Sequence, residues 1–584
     1  MKFLRNLLAV LVGLFIFSFI MLFIFVGIIS ISSAEKTVSI SDNSVLHLKL
    51  SGQIVEREIE DPFANIGFPG ASSREMGLKE LKEAIRHAKT DDKIQGIYLE
   101  PRFFMAGVAT LGELRKELED FRSSGKFIIS YSEYYSEGAY YLASVADEMY
   151  ITPGYGMLEF NGLSAEYTFF SGLFEKAGIE PQIFRVGEYK SAVEPLVRKD
   201  LSEENKEQIT KLINFVYDDL LEDIAESRNM ETEMVRKISY SMLARNTEDA
   251  VELGLIDGEK YYNEILDILK KKLNIEEDDE EVSMVSYRKY NKSYTAGKYS
   301  KDRIAVIVGE GSIIPGRADN QMIGSDSYTE LIKNARESER VKAVVIRINS
   351  GGGSPLASDV IWKEIKLTAE KKPVVASIAD VAASGGYYIV MACDKIYASP
   401  TSITGSIGIF GVLFNVEELF EDKLGITFDN ISTGEFSDMY TMTRPLTAIE
   451  KEIFQKDVEK GYEIFTTKAA EDRDMLIDDL LEIASGRVYS GHESIENGLI
   501  DEFGTLEDAI KSAAEMAEIE EYSVRYYPTR KTLFEQIMAD LSNEIQTRYL
   551  KIKLGELYPY FEQIQELKTY KGIQARMPYI LRFN

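Results

Sequence analysis

Hydrophobic residues fall in three kinds of stretch along the chain. From Leu7 to Ile31 no charged residue interrupts a run rich in Leu, Ile, Val and Phe. That is enough helix, at about 1.5 Å per residue, to cross a bilayer core of roughly 30 Å. Further on, short β-branched runs such as Ile304 to Val308, Ala343 to Ile348 and Val374 to Ile378 alternate with longer helix-like segments, among them Tyr328 to Ser338 and Ser358 to Glu370. Such alternation predicts α/β domains with largely parallel strands. Near the C-terminus Phe534, Ile537, Leu541, Ile545 and Tyr549 recur at helical spacing. Ordinary packing or a subunit contact explains that stripe better than a cofactor box.

The pattern is duplicated. A constant offset of 247 carries Gly138 onto Gly385, Tyr140 onto Tyr387, Asp147 onto Asp394, Pro153 onto Pro400, Gly178 onto Gly425 and Glu188 onto Glu435. The run Ile94 to Leu99 maps at the same offset onto Val341 to Ile346, and Gly254 to Asp257 finds its partner in Gly498 to Asp501. A period this long means a duplicated domain, since solenoid repeats run to 20–50 residues. Between the halves lies the acidic run Glu276 to Glu281 and a Lys/Tyr/Ser/Gly-rich stretch to about Lys301, which read as a solvated linker. The expected organisation is a stub and anchor over 1–35, a first repeat over 36–272, a linker over 273–301, a second repeat over 302–527 and a helical tail over 528–584.

Charge and cysteine content narrow the classes. A formal net charge of −29 removes nucleic acid as a partner, because binding a polyanion needs a basic surface. The single cysteine, Cys393, lies in an apolar run and reads as a buried thiol. Lys2 and Arg5 precede the apolar stretch, so the positive-inside rule keeps the N-terminus in the cytoplasm and sends the rest across the membrane. A cleaved signal peptide is the competing reading, given the small residues Ser32, Ser33 and Ala34. The stretch is longer than a typical signal-peptide core, which favours an anchor.

Candidate chemistry sits at two turns of the second half. After the strand ending at Ile348 comes Asn349-Ser350-Gly351-Gly352-Gly353-Ser354, whose backbone N–H groups can approach a ligand closely or form a plain flexible turn. After Val374 to Ile378 comes Ala383-Ser384-Gly385-Gly386. Ser384 there is either a helix N-cap or a nucleophile at a helix N-terminus. Together the two turns supply a nucleophile and backbone donors for an acyl-transfer oxyanion. The three histidines, His47, His87 and His492, lie outside these motifs, which disfavours a histidine base. Lysine is the alternative, and it must be buried in an apolar setting to be neutral. The repeat identifies one. Glu137 stands where Ser384 stands, and Phe104, Met105 and Ala106 replace the triple glycine, so the first half lacks a nucleophile. It keeps Gly187-Glu188-Tyr189-Lys190-Ser191, whereas the second half has Ser437 at the place of Lys190. Each half lacks what the other retains.

At these residues the chain resembles a known family. Ala382-Ala383-Ser384-Gly385-Gly386-Tyr387-Tyr388, Thr404-Gly405-Ser406-Ile407-Gly408, and Gly187-Glu188-Tyr189-Lys190-Ser191-Ala192-Val193-Glu194-Pro195 are similar to motifs of the bacterial signal peptide peptidases in their long, two-repeat form. The resemblance runs from the anchor to about residue 525. It implies two tandem domains of the fold shared by the Clp protease proteolytic subunit and crotonases. It also implies a homotetramer at the cytoplasmic (inner) membrane with catalytic domains on the periplasmic side, and hydrolysis of released signal peptides and other unfolded apolar peptides without metal or cofactor. Carried over by motif, Ser384 is the nucleophile, Lys190 the general base and Ser406 a hydroxyl that helps hold the lysine. Gly352 and Gly385 carry over as oxyanion donors, with Gly353 the alternative to Gly352. Gly351 departs from the family, which has proline there. An inactive scaffold, or a crotonase-like acyl-CoA enzyme on the same fold, are the competing functions; an exported protein has no cytosolic CoA to use. The glycine-rich edge is expected to take substrate as an added β-strand.

Overall fold

The computed structural model describes residues 2–32, 39–58, 75–276, 281–294, 300–318, 322–529, 553 and 572–577. Each half builds a parallel sheet with the same strand order. In the first, Met284–Ser286, Ser44–Val55, Ile94–Met105, Phe127–Ser132, Glu148–Ile151 and Gly258–Glu259 lie side by side. In the second, the order is Ser523–Tyr527, Arg303–Glu310, Val341–Ser350, Val374–Ala383, Lys395–Ala398 and Glu502–Phe503. Individual bonds repeat too. Tyr140 OH donates to Leu255 O at 3.0 Å and Tyr387 OH to Leu499 O at 3.0 Å. Ile128 N–H donates to Asp147 at 2.8 Å, as Val374 N–H does to Asp394 at 2.8 Å. The duplication seen in the sequence is thus a duplication of fold, and the runs Ile94 to Leu99, Ile304 to Val308, Ala343 to Ile348 and Val374 to Ile378 each lie within a strand.

Two segments differ from expectation. Residues 273–301 are not linker throughout. Met284–Ser286 pairs with Ser44–Val55, and the helix Tyr287–Asn291 buries Tyr287 and Tyr290. These apolar groups outweigh the neighbouring charge run, and the strand is the counterpart of Ser523–Tyr527 in the second half. The first repeat therefore continues past residue 272. In the tail, the stripe Phe534 to Tyr549 lies outside the described residues, but Gly572–Arg576 is a strand and not a helix.

That strand belongs to a third sheet built from both halves and the tail. Its order is Ile323–Gly324, Ile313–Ile314, Gly352–Gly353, Gly572–Arg576, Phe410–Asn415 and Glu180–Arg185. Glu180–Arg185 of the first half runs antiparallel to Phe410–Asn415 of the second over six residue pairs. The halves are also locked by buried charge. The fully buried Arg347 reaches Glu56 at 2.8 Å and Glu113 at 2.8 Å, while Lys82 bridges Glu113 and Glu507, each at 2.6 Å. Asp380 accepts bonds from Thr110 N–H at 2.9 Å and Thr110 Oγ at 2.7 Å. Buried ions have to be paired to be tolerated, so this cluster fixes how one half seats on the other.

The first helix spans Lys2–Ser32, and its large apolar side chains from Phe3 to Met21 that are described stand exposed. Counting described residues alone, no helix is long and apolar enough to cross a membrane.

Candidate active site

Ser384 sits between the strand Val374–Ala383 and the helix Gly385–Val390. Its backbone has φ 55° and ψ −115°, a conformation that L-residues avoid and that persists only where neighbours impose it. Here Ser384 N–H donates to Gly405 O at 2.8 Å and Tyr388 N–H donates to Ser384 O at 2.9 Å. The helix that follows must come close to the preceding turn, since a Cβ on Gly386 would lie 2.5 Å from Ser350 O. The side chain makes no capping bond, which sets aside the N-cap reading. Its Oγ instead lies 2.8 Å from Lys190 Nζ, in the same chain.

Lys190 comes from the first half and is fully buried. Nζ also donates to Ser406 O at 3.0 Å and lies 3.1 Å from Ser406 Oγ. Burial drives its pKa well below the ordinary lysine value by penalising the ammonium form, and no carboxylate among the described residues offsets it. A neutral amine fits this cage: two N–H groups for the carbonyl and hydroxyl of Ser406, and a lone pair for the Ser384 hydroxyl proton. Ser384, Lys190 and Ser406, named separately from three parts of the sequence, thus converge on one point.

The loop holding the lysine is docked on the second half by residues that sequence reasoning missed. Tyr189 N–H donates to Ser485 O at 3.1 Å, Gly486 N–H to Ile407 O at 2.9 Å, and Ser406 N–H to Arg487 O at 2.6 Å. Gly486 has φ +81°, and a Cβ there would lie 2.7 Å from Lys190 Cβ and 2.8 Å from its Cα and N. Gly408 packs on the same stem, its would-be Cβ 3.2 Å from Lys190 Cδ. Gln208 ties the loop down, donating to Tyr189 O at 3.4 Å and Ser191 Oγ at 3.2 Å while accepting from Val488 N–H at 3.3 Å. The available signal was the string of small residues Ala484-Ser485-Gly486 before a strand, which is common in any turn. Gly486→Ala is expected to lower kcat about tenfold or more with little change in KM, because a misplaced base costs the chemical step more than binding. Steady-state kinetics on a chromogenic peptide checks this.

Beside the pair lies the glycine turn. Gly352, at φ +98°, donates its N–H to Ser350 Oγ at 3.1 Å. A Cβ on Gly352 would fall 2.6 Å from Gly385 N and 2.1 Å from Ala575 O, and one on Gly385 would fall 3.1 Å from Gly353 N and 3.0 Å from Ala575 O. The carbonyl oxygen of Ala575 therefore sits between the two glycine turns, where a side chain on either would displace it. Gly351 meets only ordinary contacts, with Met577 Cβ at 3.6 Å from its would-be Cβ, so the turn has room for a side chain there.

The remaining candidates lie apart from this cluster. His47 pairs with Glu100 at 2.7 Å, His87 stacks on Tyr294, and His492 packs by Phe215. Cys393 is buried. Glu137, at the position equivalent to Ser384, accepts from Tyr217 OH at 2.8 Å and Asn161 N–H at 3.0 Å, and burial pushes its pKa up to about 6. Ser437 is exposed and donates to Gly434 O at 2.7 Å. The degenerate half has filled its nucleophile position with a bonded acid.

Fold and site together define a serine peptidase. The profile of peptidase family S49 matches residues 120–276 and 366–520, one match in each repeat. The chain is 35% identical over 550 residues to the chloroplastic serine protease SPPA of Arabidopsis thaliana, covering 92% of this chain and 78% of that protein. It is 32% identical to Protease 4 of Salmonella typhi, covering 88% and 84%, and 30% identical to Protease 4 of Haemophilus influenzae, covering 90% and 89%. Among solved structures, a ClpP1 mutant from Listeria monocytogenes matches 35% of this chain and 94% of its own at 17% identity and TM-score 0.24, too slight a likeness to argue from. The chain belongs to peptidase family S49.

Proposed function

We propose that this peptidase hydrolyses unfolded apolar peptides, released signal peptides among them, with a Ser384/Lys190 dyad. The observation that carries this reading is the 2.8 Å contact between Ser384 Oγ and a lysine whose pKa burial drives well below its ordinary value. Ser384 Oγ attacks the scissile carbonyl carbon while its proton passes to Lys190 Nζ. Gly385 N–H and Gly353 N–H receive the oxyanion; Gly353 is the better partner because the Gly352 N–H is already bonded to Ser350. Collapse breaks the C–N bond, Nζ returns the proton to the leaving amine, and water then cleaves the ester by the same route. Ser406 holds Nζ in line without taking the proton.

Substrate binds as a strand between Gly352–Gly353 and Phe410–Asn415, edges that accept an antiparallel partner. On this reading the helix Lys2–Ser32 is an anchor in the cytoplasmic membrane, the domains lie on the periplasmic side, and the working form is a homotetramer with the Clp-protease and crotonase fold in each repeat. The apolar run Leu7 to Ile31 and the resemblance to signal peptide peptidases support that placement. Labelling by a fluorophosphonate probe tests the enzyme: the expected result is one adduct on Ser384, and an unlabelled native chain counts for the inactive scaffold. In a peptide panel, unfolded apolar sequences are expected to be cut, with Leu, Ala, Val and Phe at the cleaved position differing by no more than about 10–200-fold. A preference for folded acidic proteins defeats the substrate assignment.

A further inference from the structure

The carboxylate of Asp380 serves both halves at once. It stands on the strand Val374–Ala383, four residues before Ser384. From there it reaches the first turn of the helix Val108–Arg122 in the first half, accepting from Thr110 N–H at 2.9 Å and from Thr110 Oγ at 2.7 Å. Gly107, at the N-cap of that helix, offers no side-chain acceptor, and the first turn holds no acidic residue. The repeat shows what was lost. In the second half Ser354 caps the helix Pro355–Ala369 by accepting from Ala357 N–H at 3.3 Å. The offset of 247 puts Gly107 at the place of Ser354 and Thr110 at that of Ala357. Asp380 supplies the missing acceptor from the other half. Gly107 makes room for it, since a Cβ there would lie 2.0 Å from Asp380 Cγ.

The same carboxylate holds the strands from which the active-site turns spring. Val341–Ser350 and Val374–Ala383 run in register as far as Ile348 opposite Ile378, and resume with Ser350 opposite Ala382. Asn349 alone faces Ala379, Asp380 and Val381, so the ladder bulges there and side chains take over from it. Asn349 Nδ2 donates to Asp380 Oδ2 at 3.4 Å, and Asn349 Oδ1 accepts from Val381 N–H at 3.2 Å. Directly beyond this clamp the strands part. One leads to Ser350, whose Oγ accepts from Gly352 N–H and donates to Gly311 O at 2.6 Å, and the other leads to Ser384. The first half, which has no nucleophile, does not keep the pair: Arg102 and Glu133 stand at the places of Asn349 and Asp380, and Arg102 bonds to Glu100 instead.

We propose that Asp380 is a positioning residue for the hydrolysis: the first half seats its carboxylate through Thr110, and the carboxylate, through Asn349, fixes the bulge that aims Ser384 and the oxyanion donors. The proposal rests on the dyad assignment above. Lys190 comes from the first half and Ser384 from the second. A residue that bonds to the first half and sets the turns of the second therefore keeps base, nucleophile and oxyanion donors in one frame. Asp380 itself touches none of the reacting atoms. A displacement of about 1 Å in such a frame costs on the order of a hundredfold in rate while leaving binding largely intact.

Reversing the hydrogen-bonding pair in the full chain tests this, with turnover of a chromogenic peptide expressed per site titrated by a fluorophosphonate probe. Asp380→Asn keeps an acceptor for Thr110 N–H but sets an N–H donor against the amide of Asn349. It is expected to lower kcat per titrated site about tenfold or more, with KM within about threefold of wild type. Thr110→Val, which removes the hydroxyl donor of the first half, is expected to lower it about threefold. Adding Asn349→Asp to Asp380→Asn exchanges donor and acceptor and still offers Val381 N–H an acceptor. That double variant is expected to return to within about threefold of wild type. A residue that only supported the fold would change the number of titratable sites and the melting temperature, and leave the turnover of each site alone. Wild-type turnover per site in Asp380→Asn or in Thr110→Val overturns the proposal, and so does a loss that Asn349→Asp fails to correct. The dyad survives those results as long as wild-type chain is labelled at Ser384 and cuts peptide; wild-type chain that does neither removes the dyad and this proposal together.

Discussion

Ser384→Ala and Lys190→Ala are each expected to reduce peptide hydrolysis by about 10⁴-fold or more, with the fold retained. The size follows from the geometry. Lys190 is the only proton acceptor within bonding distance of the Ser384 hydroxyl among the described residues, and members of a nucleophile–base pair act as a unit, so that losing either costs nearly as much as losing both. Neither side chain holds the structure together. Ser384 is seated through its backbone bonds to Gly405 and Tyr388, and the lysine loop through Tyr189, Ser191 and Gln208. Circular dichroism and thermal melts should therefore match wild type to within a few degrees while turnover disappears. The pair forms within one chain, so mixing the two variants is expected to restore nothing. Recovery of activity on mixing would mean that the functional dyad joins different chains, and near-normal turnover in Lys190→Ala would remove the lysine from the mechanism.

The dyad was legible in the sequence because duplication had left a control beside it. Ser384 alone reads as an N-cap and Lys190 alone as one lysine among many. Their complementary absence, Glu137 in one half and Ser437 in the other, singled them out before any geometry was known. The parallel strands were legible for a simpler reason, since buried runs such as Ala343 to Ile346 are apolar on both faces. What stayed hidden are partnerships between remote, short segments. Met284–Ser286 has three residues and an acidic approach, and nothing local tells that it pairs with Ser44–Val55. Gly572–Arg576 has too few apolar positions to be told from a loop until the edges at Gly352–Gly353 and Phe410–Asn415 are in view. Gly486 matters only because Lys190, from the other half, crosses it. The choice between Gly352 and Gly353 turns on one bond to Ser350 Oγ, a detail finer than a motif.

The buried lysine also ties activity and stability to pH with definite signs. Only neutral Lys190 accepts the serine proton, so kcat/KM should rise up to tenfold per pH unit below its depressed pKa and level off above it. Lys190→Arg should be inactive at every pH, because guanidinium stays charged and offers no lone pair. Stability follows from linkage. In the unfolded chain the lysine titrates near 10.5, and in the folded chain well below that. Between the two values the unfolded state holds the extra proton, so this group's contribution to stability rises with pH across that window. Below the folded pKa both states are protonated and the burial cost is constant at its largest; above 10.5 neither is, and the cost vanishes. Lys190→Met, which fills the same space without a charge, should therefore be inactive yet more stable than wild type at neutral pH. Its advantage should shrink by about 1.4 kcal/mol per pH unit on the way up to the unfolded value. Urea denaturation of the two proteins from pH 7 to 10 measures the difference directly. An advantage that stays flat across that range, or an activity optimum near pH 5, would show that Lys190 is charged in the folded enzyme, and the acid Glu137, held near 6 by burial, would become the group to examine.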